Sequence, residues 1–328
     1  MAARRRYVVL GGGPGGLAAA TKLGRKLGED HEVILVDRRE QHHFMPSYLF
    51  LMVGQRTPAD ITRDLRALER RNVRVVRSEI EGIDPERNEV SLDDGRLGYD
   101  ELVISLGMQT RPELIPGLAE GSHHAWEMEA ALRTRDELDT IQRGRIVIGL
   151  APGPYRCPPA PYEAQWMIDS HLRERGVRQD TTIEFFTPDP EPRGDYHAPG
   201  VWMDARSKQL GIEQHYNFNL QQVDPDAKVV RGAHGYDLSY DLLFVVPPHR
   251  PSQVLIDSNL AQSPAGVKVD FDTLRTRWDN VHAIGDCADL PASKAGGVAH
   301  QAAETVAHNL IVEATGRGVP GTLRLHTL

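Results

Sequence analysis

The sequence predicts an α/β protein in which a second βαβ domain is inserted into a first. Two stretches support this. A glycine-rich turn directly follows the first hydrophobic strand, Tyr7–Leu10, and a later strand–turn–helix pattern starts at "RIVIGL", residues 145–150. A strand, a turn and a helix in this order are typical of doubly wound parallel sheets. At 328 residues the chain is long enough for two such domains.

Composition and charge exclude several classes of function. The net charge is −8, with 40% apolar and 26% charged residues, which indicates a soluble globular protein without the basic field that attracts nucleic acids. No stretch approaches the ~20 apolar residues that span a bilayer. The first strand begins too early to leave room for a signal peptide. Two cysteines do not form a disulfide framework, so we expect a cytoplasmic protein.

The first turn, "YVVLGGGPGGLAAATKL", has the spacing of a dinucleotide-binding loop. Gly11 permits the tight turn, Gly13 lets a pyrophosphate approach the backbone, and Gly16 lets the following helix pack on the strand. The helix start supplies N–H groups for the phosphates. The next strand, "EVILVD", ends at Asp37, where a carboxylate can accept hydrogen bonds from a ribose. We therefore predict a Rossmann-like nucleotide site.

Two distant segments favour a flavin as the nucleotide. The strand in "YDELVISLG" runs into Gly107, and "NVHAIGDCAD" carries Gly285 and Asp286 directly after a strand. The Asp286 carboxylate suits a sugar-alcohol chain, and a helix at about 297–316 can direct its positive amino end at the flavin ring. In this order and spacing the segments resemble the flavoproteins related to glutathione reductase, which implies FAD.

The flavin domain is predicted to be split along the chain. It comprises residues 1–117 and 246–328, and residues 118–245 form an NAD-like insert. "IPGL" (Ile115–Leu118) is the expected exit and "VVPPHRPSQ" (Val245–Gln253) the expected return, because prolines end regular structure. The architecture is thus two Rossmann-like dinucleotide-binding domains, the second inserted in the first.

The first turn of the insert, "IGLAPGPYRCPPAPYEAQ", carries Cys157 among prolines. Three features argue against NAD(P) there. The third glycine is absent, the prolines after Cys157 offer no N–H groups to a phosphate, and the second strand ends without an acid for a ribose. A helix start and Arg156 instead favour a thiolate, so we expect a lowered pKa for Cys157. The alternative is a buried cysteine that only fills space.

Four segments together resemble the sulfide:quinone oxidoreductase and flavocytochrome c sulfide dehydrogenase family: "GPYRCPPAPYEA", "HHFMPSYLFLMVG", "VVPPHRPS" and "AIGDCADLPASKAGGVAHQAAETVAHN". Type II NADH dehydrogenases are more distant. The resemblance implies that Cys157 is the redox cysteine on one flavin face, where a persulfide or a flavin C4a adduct forms. It makes Glu163 a proton-handling group, or else an ordinary first-turn acid. Lys294 resembles a lysine near the flavin ring and the quinone, and Pro46 and Ser47 resemble residues beside the ring.

The resemblance also assigns the flavin contacts and leaves gaps. The FAD contacts map to these residues: Gly11, Gly13, Gly16, Asp37, Gly107, Gly285 and Asp286. "HHFMPSYLF" contains no cysteine, so we expect non-covalent FAD. The family's second redox cysteine lies in a C-terminal region without a counterpart here, and we interpret Cys287 as buried and structural. We interpret His124, in "SHHAWEME", as a surface-loop residue rather than a proton or quinone ligand.

The leading hypothesis is an FAD-dependent enzyme that oxidises sulfide, or a related small thiol or persulfide donor, and passes the electrons to a quinone. One rival hypothesis has NAD(P)H as the electron donor, as in the NADH dehydrogenase relatives. Another is a non-catalytic flavin-binding redox sensor or partner-binding protein. We predict no metal site and no nucleic-acid partner. Peripheral contact with the cytoplasmic membrane and a homo-oligomer remain open.

Overall fold

The computed structural model describes residues 4–193 and 197–326, and the chain divides into two compact units. Unit 1 contains the described residues of 1–43, 62–109 and 250–328, and unit 2 contains those of 44–61 and 110–249. In each unit a parallel sheet packs against helices. The predicted α/β class is confirmed.

The strands and helices of the described residues are numbered in chain order. The strands are β1 (Arg6–Leu10), β2 (Glu32–Asp37), β3 (Gln41–His43), β4 (Thr62–Asp64), β5 (Arg74–Arg77), β6 (Ile80–Asp84), β7 (Glu89–Leu92), β8 (Gly95–Gly98), β9 (Glu101–Ile104), β10 (Met108–Thr110), β11 (Gly144–Leu150), β12 (Thr181–Phe186), β13 (Ile212–His215), β14 (Leu220–Asp224), β15 (Val229–Gly232), β16 (Asp237–Ser239), β17 (Leu242–Val246), β18 (His249–Pro251), β19 (Ala261–Ser263), β20 (Gly266–Lys268), β21 (Val281–Ala283) and β22 (Ala288–Asp289). The helices are α1 (Pro14–Leu27), α2 (Tyr48–Met52), α3 (Pro58–Ile61), α4 (Leu118–Gly121), α5 (Met128–Thr140), α6 (Ala160–Glu174), α7 (His197–Gln209), α8 (Gln253–Asp257) and α9 (Gly296–Thr315). Helices α1 and α6 each follow the first strand of a parallel sheet, as the two sequence patterns predict.

Unit 1 is built on a five-stranded parallel sheet in the order β21-β9-β1-β2-β5. Its strands are continuous apolar runs because a parallel sheet is covered on both faces; Leu10 of β1, for example, pairs with Val36 of β2 and is fully buried. Helices α1 and α9 pack against each other. Small, fully buried residues such as Ala19 and Ala303 let the two helices approach closely.

Unit 2 contains a four-stranded parallel sheet in the order β13-β12-β11-β17. Side chains alternate along each strand, so β11 contributes to two cores. Ile146 and Ile148 lie in one core with residues of α2, α5 and α6. Val147 lies in the other core, together with Phe186 and residues of the antiparallel strands β14, β15 and β16. Both faces of the sheet are therefore covered.

The division between the units differs from the predicted domain boundaries at residues 44–61, 110–117 and 246–249, all of which were expected in the flavin domain and belong to unit 2. The segment 44–61, which we expected in the flavin domain, belongs to unit 2 because Leu51 and Met52 are fully buried in its core. Residues 110–117 also belong to unit 2, where Ile115 is buried. Sequence reasoning missed these assignments because these short apolar segments pack against residues that are distant along the chain.

Candidate active site

The first motif turn lies at the carboxyl end of β1 in unit 1. Gly11 has φ of +98°, and a Cβ atom there would lie 2.4 Å from the backbone oxygen of Ser105. A Cβ atom on Gly16 would lie 1.8 Å from the oxygen of Gly11. Larger residues are excluded at both positions, so the glycines serve the tight turn and the close packing of α1 on the strand, as predicted.

Two other glycines face open space. A Cβ atom built on Gly13 meets no heavy atom within 4 Å, and the same holds for Gly107, whose φ is +64°. Glycine at Gly13 is therefore not required by packing within the protein. Open backbone at this point of the turn is the cradle that lets a pyrophosphate approach. The turn of unit 1 thus fits a dinucleotide cofactor.

Two backbone hydrogen bonds fix the side chain of Asp37 at the end of β2. Its carboxylate is buried, and Oδ2 accepts a hydrogen bond from the backbone N–H of Gly12 at 2.6 Å. Oδ1 accepts one from the N–H of Arg39 at 2.8 Å. His42 Nδ1 lies 2.9 Å from the Gly12 oxygen and ties β3 to the same turn. Sequence reasoning assigned no role to Arg39 or His42, although both lie within five residues of Asp37.

A second predicted cofactor segment of unit 1 directly follows β21. Gly285 has φ of +70° and is followed by Asp286, which is partly exposed. Cys287 is fully buried, and its Sγ lies 3.2 Å from the oxygen of Ile284. Burial raises the pKa of the Cys287 thiol. Cys287 therefore has the environment of an inert structural cysteine.

Lys294 is anchored to the backbone. Its Nζ donates hydrogen bonds to the oxygens of Ala265 and Ala288, at 2.8 and 2.7 Å. Burial lowers its pKa, and the nearby carboxylates of Asp286 and Asp289 oppose that shift. These bonds tie the loop before α9 to the turn between β19 and β20 and to strand β22. Lys294 is thus partly buried and bonded to backbone oxygens, and its role near a flavin and a quinone stays a prediction.

The amino ends of α1 and α9 lie side by side. A Cβ atom on Gly296, the first residue of α9, would lie 3.9 Å from Cγ of Pro14, the first residue of α1. Neither helix has an acidic residue in its first turn. Two positive helix ends therefore meet at the carboxyl edge of the sheet, which favours a ligand with phosphates or developing negative charge.

The corresponding turn of unit 2 is built differently. In unit 1, Leu10 at the end of β1 pairs with Val36, the residue before Asp37. In unit 2 the equivalent pair is Gly149 and Phe186. On this register the motif glycines are replaced by Leu150, Pro152 and Tyr155. A Cβ atom on Gly149 would lie 1.9 Å from Cζ of Phe186, so this ring covers the end of the strand.

The backbone N–H groups at the start of α6 are already hydrogen-bonded within the protein. The N–H of Ala160 donates to the oxygen of Cys157 at 2.9 Å, and those of Tyr162 and Glu163 donate to the oxygen of Pro159 at 3.0 and 3.1 Å. The prolines between them have none to offer. A phosphate would therefore find no donors in residues 158–163. The helix can act on a thiolate through its dipole, but not through direct N–H contacts.

Cys157 lies in this turn, partly buried, in the left-handed conformation with φ of +59°. The preceding Arg156 donates from Nη2 to the oxygen of Trp126 at 2.8 Å, and its Nη1 lies 3.2 Å from Sδ of Met45. The indole Nε1 of Trp126 donates back to the oxygen of Arg156 at 3.0 Å. Sequence reasoning gave Trp126 no role.

The other predicted site residues of unit 2 differ in solvent exposure. Glu163 is exposed on the first turn of α6, yet desolvation by surrounding protein atoms raises the pKa of its carboxyl group. Pro46 is exposed, whereas Ser47 is buried and accepts a hydrogen bond from Arg56. Proton handling by Glu163 and flavin contacts of Pro46 and Ser47 stay predictions.

The interpretation of His124 as a surface-loop residue is wrong. His124 is buried, and burial holds the pKa of its imidazole well below the ordinary value. The N–H of His123 donates to the oxygen of Leu243 at 2.9 Å, so the segment runs beside β17 as a short extra bridge. The polar sequence hid this position, because backbone pairing with a distant strand left no periodic pattern.

A cluster of potential metal ligands lies elsewhere in unit 2. Ligand atoms of Glu184, Glu213 and His215 lie within 4.8 Å of one another. Glu184 already binds His215 Nε2 at 2.9 Å, and its other oxygen lies 3.0 Å from Nε of Arg145. The arginine supplies the positive charge that a cation would bring. We interpret the cluster as an ion-pair network.

Comparisons with known families match both units. The family described as pyridine nucleotide-disulphide oxidoreductase matches residues 5–149. The family described as the central part of the sulfide dehydrogenase [flavocytochrome c] flavoprotein chain matches residues 131–247, which include the Cys157 turn. The two matches together extend from β1 to the end of β17.

Several relatives are named for sulfide oxidation. The mitochondrial sulfide:quinone oxidoreductase of Dictyostelium discoideum is 28% identical over 320 residues, which cover 93% of this chain and 70% of the relative. The sulfide-quinone reductase of Aquifex aeolicus is 27% identical over 334 residues, covering 94% of this chain and 76% of the relative. A demethylphylloquinone reductase of Synechocystis is 26% identical over 345 residues, covering 96% of this chain and 81% of the relative.

Solved structures agree in fold. The X-ray structure of the Aquifex aeolicus sulfide:quinone oxidoreductase has a TM-score of 0.86 at 25% identity, over 95% of this chain and 77% of that one. The NDH2 structure from Plasmodium falciparum in complex with NADH has a TM-score of 0.72 at 18% identity, over 87% of this chain and 65% of that one. With the open glycine cradle and Asp37 of unit 1, FAD is the cofactor. The chain is an FAD-dependent oxidoreductase that is similar to the sulfide:quinone oxidoreductases and to the flavocytochrome c sulfide dehydrogenase flavoprotein chain.

Proposed function

We propose that this enzyme oxidises sulfide, or a related small reduced-sulfur donor, through Cys157 and passes the electrons to a quinone. The observation that carries the proposal is the Cys157 turn. It presents a partly exposed thiol at the start of α6, where nucleotide-binding relatives present N–H groups. Relatives named sulfide:quinone oxidoreductase support the donor and the acceptor.

The chain's own residues account for the sulfur chemistry. A Cys157 thiolate and a hydrosulfide ion form one S–S bond, giving a persulfide and releasing one proton and two electrons. Glu163, on the first turn of the same helix, is the nearby acid–base group whose raised pKa suits transient proton uptake. A second sulfide or small thiol then takes the outer sulfur and restores the thiolate. FAD, when bound, would supply the two-electron acceptor for this oxidation, and the quinone would take up the two electrons with two protons.

Residues of unit 1 would hold the cofactor. Asp37 would accept from the ribose, the open backbone at Gly13 would admit the pyrophosphate, and Asp286 would contact the ribityl chain. The paired amino ends of α1 and α9 favour the negative charge of the bound and reduced cofactor. We expect the FAD to be non-covalent, because the segment from His42 to Phe50 contains no cysteine.

Stopped-flow flavin bleaching after anaerobic addition of sulfide tests the proposal. We expect rapid bleaching in the parent protein and none above the background rate in Cys157→Ser. Cys287→Ala is the matched control, because Cys287 is fully buried; after correction for FAD content it should bleach at the parent rate. Equal bleaching by Cys157→Ser and the parent would contradict the role of Cys157.

NAD(P)H as the electron donor is the rival in the same fold. It is supported by more distant relatives such as the type II NADH:quinone oxidoreductase of Staphylococcus epidermidis, 28% identical over 134 residues. The turn of unit 2 opposes it, because the prolines and the N–H groups already bound within the protein leave no donors for a pyrophosphate in residues 158–163. The second rival is a flavin-binding sensor without turnover. Sustained quinone reduction by the purified protein would rule it out.

We further propose a cytoplasmic location with peripheral contact to the membrane that holds the quinone. In the described part of the chain, no helix combines the length and the apolar character needed to cross a bilayer. Fractionation of cells expressing the tagged protein tests the location. We expect the protein in the soluble fraction and on membranes that release it in high salt; release only by detergent would contradict peripheral contact.

A further inference from the structure

A reciprocal pair of hydrogen bonds joins Trp126 to the residue just before the redox cysteine. The indole Nε1 of Trp126 donates to the oxygen of Arg156 at 3.0 Å, and Nη2 of Arg156 donates to the oxygen of Trp126 at 2.8 Å. Each residue therefore uses one side-chain donor and one backbone acceptor. Such a two-point contact fixes both the position and the orientation of the backbone at Arg156.

Trp126 is itself anchored to the sheet of unit 2. Its side chain is 6% exposed and its ring lies 6.2 Å, centroid to centroid, from that of Phe244 in β17. On the other side it meets the ring of His249 edge-on at 6.5 Å. Its N–H donates to Nδ1 of the buried His124 at 3.3 Å. The fixed end of the contact is thus the rigid core of unit 2.

The cysteine turn needs such support because local preferences oppose its conformation. Cys157 has φ of +59°, a left-handed conformation that residues with a Cβ atom seldom adopt. It also precedes Pro158, and a following proline favours extended backbone at the preceding residue. After Cys157, the N–H of Ala160 binds the cysteine's own oxygen. Before Cys157, the contact between Arg156 and Trp126 restrains the backbone.

We propose that Arg156 and Trp126 are positioning residues that hold the Cys157 thiol in its reactive placement. The guanidinium spans the Trp126 oxygen and, at 3.2 Å, Sδ of Met45, so its contribution is a geometric restraint as well as a charge. The inference deepens the proposed function and depends on Cys157 being the reacting thiol. It assigns a purpose to the polar segment before α5.

Three variants and a control test the restraint. Trp126→Phe keeps an aromatic ring but removes the Nε1 donor together with part of the indole. Arg156→Met removes both guanidinium contacts, and Arg156→Lys keeps the charge and one donor. Arg175→Met is the matched control, because Arg175 also donates to two backbone oxygens of unit 2, those of Leu138 and Asp139. All four retain Cys157.

Two rates are measured for each protein: sulfide-driven flavin bleaching, and alkylation of Cys157 by iodoacetamide across pH. We expect bleaching to slow by ~10–100-fold in Trp126→Phe and Arg156→Met, since displacement of a reacting atom by about 1 Å has that effect. Arg156→Lys should recover part of the loss, and Arg175→Met should match the parent. The pH dependence of Cys157 alkylation should change most in Trp126→Phe and Arg156→Met, less in Arg156→Lys and not at all in Arg175→Met. FAD content and melting temperature should stay close to the parent's.

The outcomes separate this inference from the proposed function. If sulfide does not bleach the parent, the proposed function fails, and the alkylation profiles still decide whether Trp126 and Arg156 position the thiol. If the parent bleaches and Trp126→Phe and Arg156→Met match it in both rates, the positioning role is overturned. It is also overturned if both rates fall only in proportion to lost folded protein or lost FAD.

Discussion

Phe186 occupies the space above Gly149: a Cβ atom on this glycine would lie 1.9 Å from Cζ of the phenylalanine ring. In unit 1 the same strand end faces Asp37 and an open turn, so the two units use one topology for different purposes. The next residue, Thr187, stands where unit 1 has Asp37 and is fully buried. The second unit retains a nucleotide-binding topology without N–H donors for a phosphate at the start of α6.

NADH should therefore be a poor electron donor. We expect excess NADH added without oxygen to leave the flavin oxidised during the time in which sulfide bleaches it completely, because a pyrophosphate has no N–H donors at the start of α6. Anaerobic titration with both reagents checks this. Flavin reduction by NADH as fast as by sulfide would favour the NADH dehydrogenase hypothesis.

Asp37→Ala should weaken FAD binding. The change removes the ribose acceptor and the partner of the Gly12 N–H group, and charged hydrogen bonds contribute about 1.5–3 kcal/mol each. We expect the FAD dissociation constant to rise by ~10–100-fold, measured by flavin fluorescence during dilution. Asp100→Ala is the control, since Asp100 also binds a backbone N–H group, that of Arg6, at the start of β1. Equal FAD affinity in Asp37→Ala and the parent would contradict the assignment of this edge.

The two cysteines should differ sharply in reactivity. Cys287 is fully buried and burial raises the pKa of its thiol, whereas Cys157 is partly exposed. We expect a thiol reagent to label Cys157 within minutes in the native protein, and Cys287 only after unfolding. Peptide mapping after labelling with and without denaturant checks this, and early labelling of Cys287 would count against its structural role.

Glu101 should make the folded protein sensitive to pH. One carboxyl oxygen binds Arg5, while Oε2 is buried without a hydrogen-bond partner among the described residues. Burial, opposed by Arg5, raises the pKa from 4.5 to about 7. A raised folded-state pKa gives stability that is present below pH 4.5 and is lost as the pH rises through about 7.

Glu101→Gln should remove this pH dependence. Between pH 5 and 8 we expect the parent's free energy of unfolding to fall by roughly 1–3 kcal/mol more than that of the variant. Urea unfolding at several pH values measures it, with Glu89→Gln as the control because Glu89 makes only an exposed ion pair with Arg96. Parallel curves for the parent and Glu101→Gln would contradict this account.

The sequence was sufficient where one residue type is required by local sterics. The clashes that a Cβ atom would make at Gly11 and Gly16 are properties of any tight βα turn, so the flavin edge could be predicted from spacing alone. The prolines around Cys157 likewise excluded phosphate donors without knowledge of the fold.

The remaining features depend on contacts between distant parts of the chain. His124 is buried because its segment pairs with β17, more than a hundred residues later, and polar composition gave no sign of it. The contact between Trp126 and Arg156 bridges 30 residues. The assignment of Leu51 to unit 2 has the same cause, because a short apolar segment does not reveal which core it joins.

The central claim is that sulfide sulfur is transferred to Cys157 as electrons leave for the flavin. Its most direct test is mass spectrometry of the protein quenched by alkylation after anaerobic addition of one equivalent of sulfide. We predict that the peptide containing Cys157 gains one sulfur atom in step with flavin bleaching, and that the peptide containing Cys287 gains none. Complete flavin bleaching with no added sulfur on Cys157 would contradict the account.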